Sequence, residues 1–236
     1  MNTRLNDLGQ PIGEELPGWT ARDRPPRRPV LGRYCRLEPV DPARHTDDLY
    51  AACMETPAPS DWTYLPIERP ESREGFRSYL SDLARSEDPL HFAVIELRSG
   101  RAVGTLALMR IDANHGVIEV GYINFSRRMK RTRIGTEAIF LLMRLVFDDL
   151  GYRRFEWKCD SLNAPSRAAA ERYGFSFEGI FRWATLYKGR SRDTAWYAII
   201  GRDWPGIRTA FEAWFKPENF DQNGLQKQSL RALRER

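Results

Sequence analysis

One unit constrains this chain more than any other: a strand-like run over 116–125, a turn crowded with Arg127, Arg128, Lys130, Arg131 and Arg133, and an apolar-periodic stretch that reaches Leu150 and stops at Gly151. A helix start leaves its first backbone N–H groups without intrahelical partners, and the summed peptide dipoles place roughly half a positive charge there. With five basic residues ahead of it, such a start is a socket for an anion. Strand, turn, helix is also the order in which α/β proteins hold phosphates. Three occupants fit the socket: a phosphorylated cofactor, solvent around a basic corner, or the backbone of a nucleic acid.

At 236 residues the chain is sized for one domain with extensions, because single domains run to about 100–200 residues. Its 42% hydrophobic and 12% aromatic content is enough for a buried core. No apolar stretch reaches the roughly 18 residues that span a bilayer. The opening residues, with Arg4, Asp7, Glu14 and Glu15, contain no apolar signal segment, so a cytoplasmic protein without a membrane anchor is expected. Cys35, Cys53 and Cys159 are odd in number and far apart, and His45, His91 and His115 are scattered. That pattern supports neither a disulfide framework nor a metal site. The net charge of +5 suits a polyanionic cofactor and a nucleic acid alike. Outside the turn, however, the basic residues are interspersed with acids, which counts against a nucleic-acid face.

Residues 1–29 hold five of the fifteen prolines and read as an extended arm outside the main core. The domain itself is expected over 30–215, followed by a polar tail over 216–236 that frays. Within the domain, a strand over 33–39 leads to helices over 42–54 and 72–85, separated by a proline-punctuated loop at 57–70. Strands over 91–97, 102–111 and 117–125 form an antiparallel meander. After the long helix come a strand over 154–158, a helix over 165–173 closed by Gly174, strands over 175–179 and 194–200, and a terminal helix over 204–215. Trp204, Phe211, Trp214 and Phe215 on that last helix either seal the sheet edge or offer a surface for a homodimer.

Local strings sharpen the order β-α-α-β-β-β-α-β-α-β-β. They are Glu119 followed by Gly121-Tyr122, then Thr136-Glu137-Ala138, then Asn163-Ala164-Pro165-Ser166 with Tyr173-Gly174-Phe175 and Glu178-Gly179 beyond it. On these residues the chain resembles the GNAT superfamily of acetyl-CoA-dependent N-acetyltransferases, in the style of the RimJ/RimL branch that acetylates ribosomal proteins. The resemblance covers roughly 33–204. It implies an α/β (α+β) fold with a mixed, mostly antiparallel central sheet flanked by helices and with strands four and five splayed. It also implies acetyl-CoA as cosubstrate and a primary amine as acceptor. One departure stands out: where the family's turn carries its first glycine, this chain has Arg133. Glycine lets the backbone approach a pyrophosphate closely, whereas an outward-pointing Arg133 would add a guanidinium to the phosphates.

Moving an acetyl group from a thioester to an amine needs a neutral nucleophile, a polarised carbonyl and a proton for the thiolate. Glu119 is the candidate general base, because strand register places it on one face with Val117, Ile123 and Phe125, and desolvation raises a carboxylate's proton affinity. A structural pair with a neighbouring arginine is the other reading of Glu119, and His115 and Asp61 are weaker substitutes. The resemblance puts a proton-donating tyrosine at the position of Ala170. Tyr173 lies three residues further round the helix and is not equivalent to it; the resemblance to the ribosomal-protein-acetylating branch makes Ser166, one turn before Ala170, the proton donor or hydrogen-bond partner of the thiolate. Ser166 and Asn163 also read as a first-turn serine and a helix cap; by resemblance Asn163 binds the pantetheine arm. A backbone N–H near 123–125 would polarise the carbonyl, which brings Ile123 and Phe125 into the cofactor set. Lys130, Arg131, Thr132, Arg133, Ile134, Gly135 and Thr136 would hold the pyrophosphate and ribose phosphate. Asp61, Trp62 and Tyr64 in the 57–66 loop, with Arg182 and Trp183, are the acceptor-side candidates. A protein N-terminus, a free amino acid, a polyamine or an amine antibiotic all fit, and the resemblance favours a protein or peptide α-amine. A silent acyl-CoA-binding module and a nucleic-acid binder are the rival classes.

Overall fold

In a computed structural model, which describes residues 4–55 and 59–235 of the protein, an eight-stranded mixed sheet carries helices on both faces. Its strands are β3 (Val30–Leu31), β4 (Cys35–Pro39), β5 (Leu90–Glu96), β6 (Ala102–Asp112), β7 (Val117–Phe125), β8 (Arg154–Asp160), β9 (Ser176–Tyr187) and β10 (Arg190–Ile200). They lie in the order β3-β4-β5-β6-β7-β8-β10-β9. Every neighbouring pair is antiparallel except β7 with β8. The central strands read as continuous apolar runs because helices cover both of their faces. One core lies under α3 (Arg133–Arg144), α4 (Ala164–Tyr173) and α5 (Trp204–Trp214). A second lies between the sheet and the pair α1 (Pro42–Tyr50) and α2 (Arg73–Arg85). Fully buried Leu37, Phe92, Leu106, Leu142 and Phe155 in the first core each contribute roughly 1.5–3 kcal/mol of transfer free energy.

Helix α3 starts where Thr132 accepts the N–H of Gly135, buries Gly135 through Met143, and widens into a π-helical turn over Leu145–Asp149 before Gly151 turns left-handed at φ +66°. Its first turn is stapled to the start of β4. The Glu137 carboxylate accepts the backbone N–H groups of Arg33, Tyr34 and Cys35 at 2.8, 2.6 and 2.7 Å. A Cβ on Gly32 would stand 2.7 Å from Glu137 Oε2, so only glycine lets the chain pass there.

β7 and β8 pair only from Val117↔Arg154 to Val120↔Trp157. Beyond that point β8 continues along β10 as far as Asp160↔Thr194, while β7 stays with β6 as far as Phe125↔Gly104. The parallel ladder therefore ends in the middle of the sheet and leaves a cleft between 121–125 and 158–160. A bulge accompanies the parting: Ala107↔Gly121 and Thr105↔Asn124 leave one extra residue on β7, with Tyr122 at φ +49°.

Several expectations change. Strands expected over 175–179 and 194–200 run to Ser176–Tyr187 and Arg190–Ile200 and form one long hairpin. Most of β9 is exposed, so no burial alternation announces it, and cross-strand pairing holds it instead. The tail expected to fray is packed: Leu230 is buried on α6 (Leu230–Arg234), Trp214 Nε1 donates to Gln226 Oε1 at 2.7 Å, and Arg234 donates to the Glu171 carbonyl at 2.8 Å. Trp204, Phe211 and Trp214 are buried and Phe215 is half-buried, so most of the aromatic face of α5 is spent sealing the sheet. In the arm, β1 (Arg4–Leu5) pairs with β2 (Pro11–Ile12), and Trp19 seats on the β6–β7 turn with Nε1 donating to the Asn114 carbonyl at 2.9 Å. Pro57, at the start of the expected 57–70 loop, lies outside the described residues, as do residues 1–3, 56, 58 and 236.

Candidate active site

The anion turn is built by tight internal packing. Thr132 Oγ1 donates to the Met129 carbonyl at 2.8 Å and accepts from Gly135 N at 3.4 Å. A Cβ on Gly135 would stand 2.5 Å from that same carbonyl, so the second glycine of the turn has no substitute. Among the described residues, no hydrogen bond uses the N–H of Arg133 or Ile134. Arg127, Arg131 and Arg133 form no ion pair there either, whereas Arg128 pairs with Glu96 at 2.5 Å and Lys130 with Asp61 at 2.7 Å. Arg131 is exposed at φ +62°. The Arg133 guanidinium carbon is 3.7 Å from the centroid of the Phe220 ring, so the side chain rests on that ring beside the helix start. Two free amides and guanidinium groups without ion-pair partners at one helix start fit a polyphosphate. Thr136 is a different case: its hydroxyl donates to the Thr132 carbonyl at 3.0 Å and is buried, so it serves the turn itself. Ile134 packs its side chain against the main core and has only its N–H to offer.

The β7 bulge separates residues that simple alternation puts together. Ile118 and Val120 lie in the main core, and Ile123 and Phe125 pack against it too, because the extra residue near Tyr122 reverses the alternation. Glu119 therefore does not share a face with Ile123 and Phe125. It projects from the opposite side of the sheet, 4% exposed, among other charges. Lys158 Nζ stands 2.9 Å from Glu119 Oε2 and 2.5 Å from Glu156 Oε2, and Arg110 Nε is 3.3 Å from Glu119 Oε2. Arg154 joins Glu156 at 2.6 Å to Glu178 at 2.5 Å. The result is a ladder of alternating sign, Arg110, Glu119, Lys158, Glu156, Arg154, Glu178, crossing from β6 to β9. Both cations on Glu119 engage Oε2. Among the described residues Oε1 accepts no hydrogen bond, and it lies 3.8 Å from where a Cβ on Gly121 would stand, beside the first β7 residue past the last parallel pair. Burial pushes the Glu119 carboxyl above the usual carboxylate range, against the opposing pull of Lys158 and Arg110.

Across the cleft, Asn163 caps α4 by accepting the Ser166 N–H at 3.2 Å. The Ser166 hydroxyl accepts the Trp157 indole N–H at 3.0 Å, which leaves its own proton to donate. Tyr173 is buried with its hydroxyl 3.5 Å from the Gly135 carbonyl, and Ala170 is fully buried. Over the cleft mouth the 59–66 segment forms a strap. Besides the pair from Asp61 to Lys130, Tyr64 OH donates to the Leu162 carbonyl at 3.2 Å, Lys188 to the Trp62 carbonyl at 2.7 Å and Arg190 to the Thr63 carbonyl at 3.0 Å. A cavity of about 470 Å³ opens beside it, lined by Trp62, Thr63, Glu68, Arg69, Lys188 and Arg190. The Trp62 indole is itself 2% exposed within the second core, so it contributes a carbonyl to the strap while the ring fills the interior. Arg182 and Trp183 sit on a wide bulge of β9, Trp183 86% exposed with its N–H on Asp193 Oδ1 at 2.8 Å. His115 stands apart on an exposed turn, its Nδ1 2.8 Å from Asp112 Oδ2.

Sequence reasoning missed Lys158, Arg110, Glu156 and Glu137. Lys158 and Glu156 left a signal: with Arg154 they alternate with Phe155 and Trp157, so one face of β8 is apolar and the other carries charges of opposite sign. Among the described residues no helix is long and apolar enough to cross a membrane.

The chain is similar to known acetyltransferases. Residues 35–176, more than half of the chain, match the family model of the acetyltransferase (GNAT) domain. A GCN5-related N-acetyltransferase from Brucella melitensis superposes with a TM-score of 0.92 at 48% identity, covering 94% of this chain and all of that one. The N-acetyltransferase p20 of Bacillus licheniformis is 27% identical over 127 residues, 54% of this chain and 71% of its own. A Bacillus subtilis protein named "Putative ribosomal N-acetyltransferase YdaF" is 29% identical over 147 residues, 61% of this chain and 79% of its own. The chain belongs to the GNAT family and is an N-acetyltransferase.

Proposed function

We propose that the protein moves an acetyl group from acetyl-CoA to a primary amine by direct attack of the amine on the thioester, with Glu119 as general base. One observation carries this reading: a buried carboxylate stands where β7 and β8 part, with one oxygen clamped by cations and the other, Oε1, uncommitted beside the cleft. Acetyl-CoA supplies the activated acyl group and a thiolate leaving group. The amides of Arg133 and Ile134, with Arg131 and Arg133, take its phosphates, and the Nδ2 of Asn163 remains available to the pantetheine arm. As the N–C bond forms and the C–S bond breaks, Glu119 Oε1 accepts the proton lost by the amine. Ser166, oriented by Trp157, donates a hydrogen bond to the departing thiolate, which takes its proton from solvent. The backbone of β7 that faces the cleft near 123–125 has no strand partner on that side and is free to polarise the carbonyl. For the acceptor we favour a protein or peptide α-amine, the class suggested by the name of the ribosomal N-acetyltransferase relative.

The test pairs binding with turnover. Acetyl-CoA at about 100 times its dissociation constant should raise the unfolding midpoint by about 5–10 °C, with ATP as the anion control. CoA release is then followed with N-terminal peptides, free amino acids and polyamines. Turnover with peptides supports the reading, and a thermal shift with no turnover on any amine points to a silent acyl-CoA-binding module. Absence of a shift in a protein that unfolds cooperatively overturns the proposal.

A further inference from the structure

The Lys158 ammonium is more deeply buried than amines usually are: its side chain is 5% exposed, between two carboxylates and 3.9 Å from the centroid of the Trp196 ring. Taking a charge out of water is costly, and a buried ion pair is often no more stable than apolar residues of the same volume. Fold stability therefore gives little reason for this cation to be here, and its position gives a better one. Lys158 is the first β8 residue past the last parallel pair, Val120↔Trp157, so its amine stands at the apex of the cleft. It reaches Glu119 Oε2 and no other atom of that carboxylate, which leaves Oε1 on the cleft side over Gly121. The indole of Trp196 closes the ammonium from the β10 side, and Phe181 stacks on Trp196 with ring centroids 4.3 Å apart.

We propose that Lys158 is the positioning residue of the reaction: it holds one oxygen of Glu119 so that the other faces the acceptor amine, and it keeps that carboxylate charged in a buried site. The inference rests on the reading of Glu119 as the base. The groups that bear on Glu119 are Lys158 and Glu156 from β8, Arg110 from β6 and Tyr122 from its own strand. Of the two cations, Lys158 is the buried one, while the Arg110 side chain is 57% exposed and correspondingly screened by solvent. Glu156 is held by its own bonds to Arg154 and Lys158, so the ammonium cannot swing away from Glu119 without breaking the ladder.

The experiment measures kcat/KM against pH from 5.5 to 9.5 for the wild type, Lys158→Met, Lys158→Arg and Glu119→Gln, with the acetyl-CoA Kd and the unfolding midpoint taken for each. In Lys158→Met the acid limb should move up by about one pH unit or more. Activity on the acid limb should then fall by up to about tenfold for each pH unit that the limb moves, mostly in kcat, and recover at higher pH. Lys158→Arg, which keeps the charge, should hold its acid limb near the wild-type position. If Lys158→Met binds acetyl-CoA normally and loses activity equally at every pH, or loses none, the positioning role is overturned while an inactive Glu119→Gln leaves the base in place. If Glu119→Gln keeps wild-type activity, the base reading fails and this inference fails with it. Should Lys158→Met not fold, Lys158→Gln is read by the same criteria.

Discussion

Two cationic regions face the same cleft, and they differ in how their charges are satisfied. At the start of α3, among the described residues, Arg131 and Arg133 have no carboxylate partner and stand beside backbone amides that no acceptor engages. Some strands away, Lys158 and Arg154 are committed to Glu119, Glu156 and Glu178 at 2.5–2.9 Å. The first arrangement is unfinished without an anion and so defines a place for a ligand. The second is complete within the chain and so defines the posture of the carboxylate it surrounds. A guanidinium or an ammonium has the same chemistry in both places; the presence or absence of an internal partner decides whether it binds or positions.

The sharpest way to break this contrast is at Glu119. Replacing it with glutamine should lower kcat/KM by about 10²–10³ at pH 7.5, within the range of general-base contributions, while the acetyl-CoA Kd stays within about twofold. A comparable loss of cofactor affinity, measured by calorimetry, would mean that the two regions are not separate.

Next in size is Glu156→Gln, which leaves Lys158 and Arg154 each one carboxylate short in a buried setting. Stability should fall by about 3 kcal/mol, read from urea unfolding, with acetyl-CoA affinity little changed.

His91 makes a third comparison, as a buried group with no countercharge. It is 2% exposed, its Nδ1 has no hydrogen-bond partner among the described residues, and burial lowers its pKa to about 4. The unfolded chain, with an ordinary pKa near 6.5, therefore binds more protons than the folded one between these values. The His91 contribution is complete above pH 6.5 and is lost as pH falls towards 4, by about 2–3 kcal/mol at the acid end. Unfolding of His91→Phe followed across pH 4–7 should lack that part of the decline, and an unchanged slope would remove His91 from the account.

The smallest effect is expected at the unfinished end. Arg133→Ala should weaken acetyl-CoA binding by about 5–10-fold and flatten its salt dependence, because one exposed phosphate contact is lost. The unfolding midpoint without ligand should barely move, and a rise in affinity would show that the side chain obstructs the site.

Much of the fold was legible because it depends on local chemistry. Thr132, Asn163, Gly151 and Gly174 cap or end helices where their side chains or left-handed conformations demand it. The meander of β5, β6 and β7 followed from apolar runs broken by glycine turns at Gly100 and Gly116. Reading failed where burial did not mark the chain: β9 is exposed along most of its length, and the polar tail is held by side-chain bonds such as Trp214 to Gln226. At the site, Glu119 was legible as a carboxylate in an apolar strand, but its face was not, because the bulge at Tyr122 reverses the alternation on which that reading depended.

The sequence by itself determined the strand, basic turn and helix, the helix caps, the glycine at 135 and the residue types available for acyl transfer. These are short-range matters of propensity, sterics and charge. Only the tertiary structure decided that β7 and β8 part after Val120, that Lys158 stands at that parting, and that Arg133 rests on Phe220. Each of those depends on pairing between residues far apart in the chain, where a one-residue bulge reassigns every side chain beyond it.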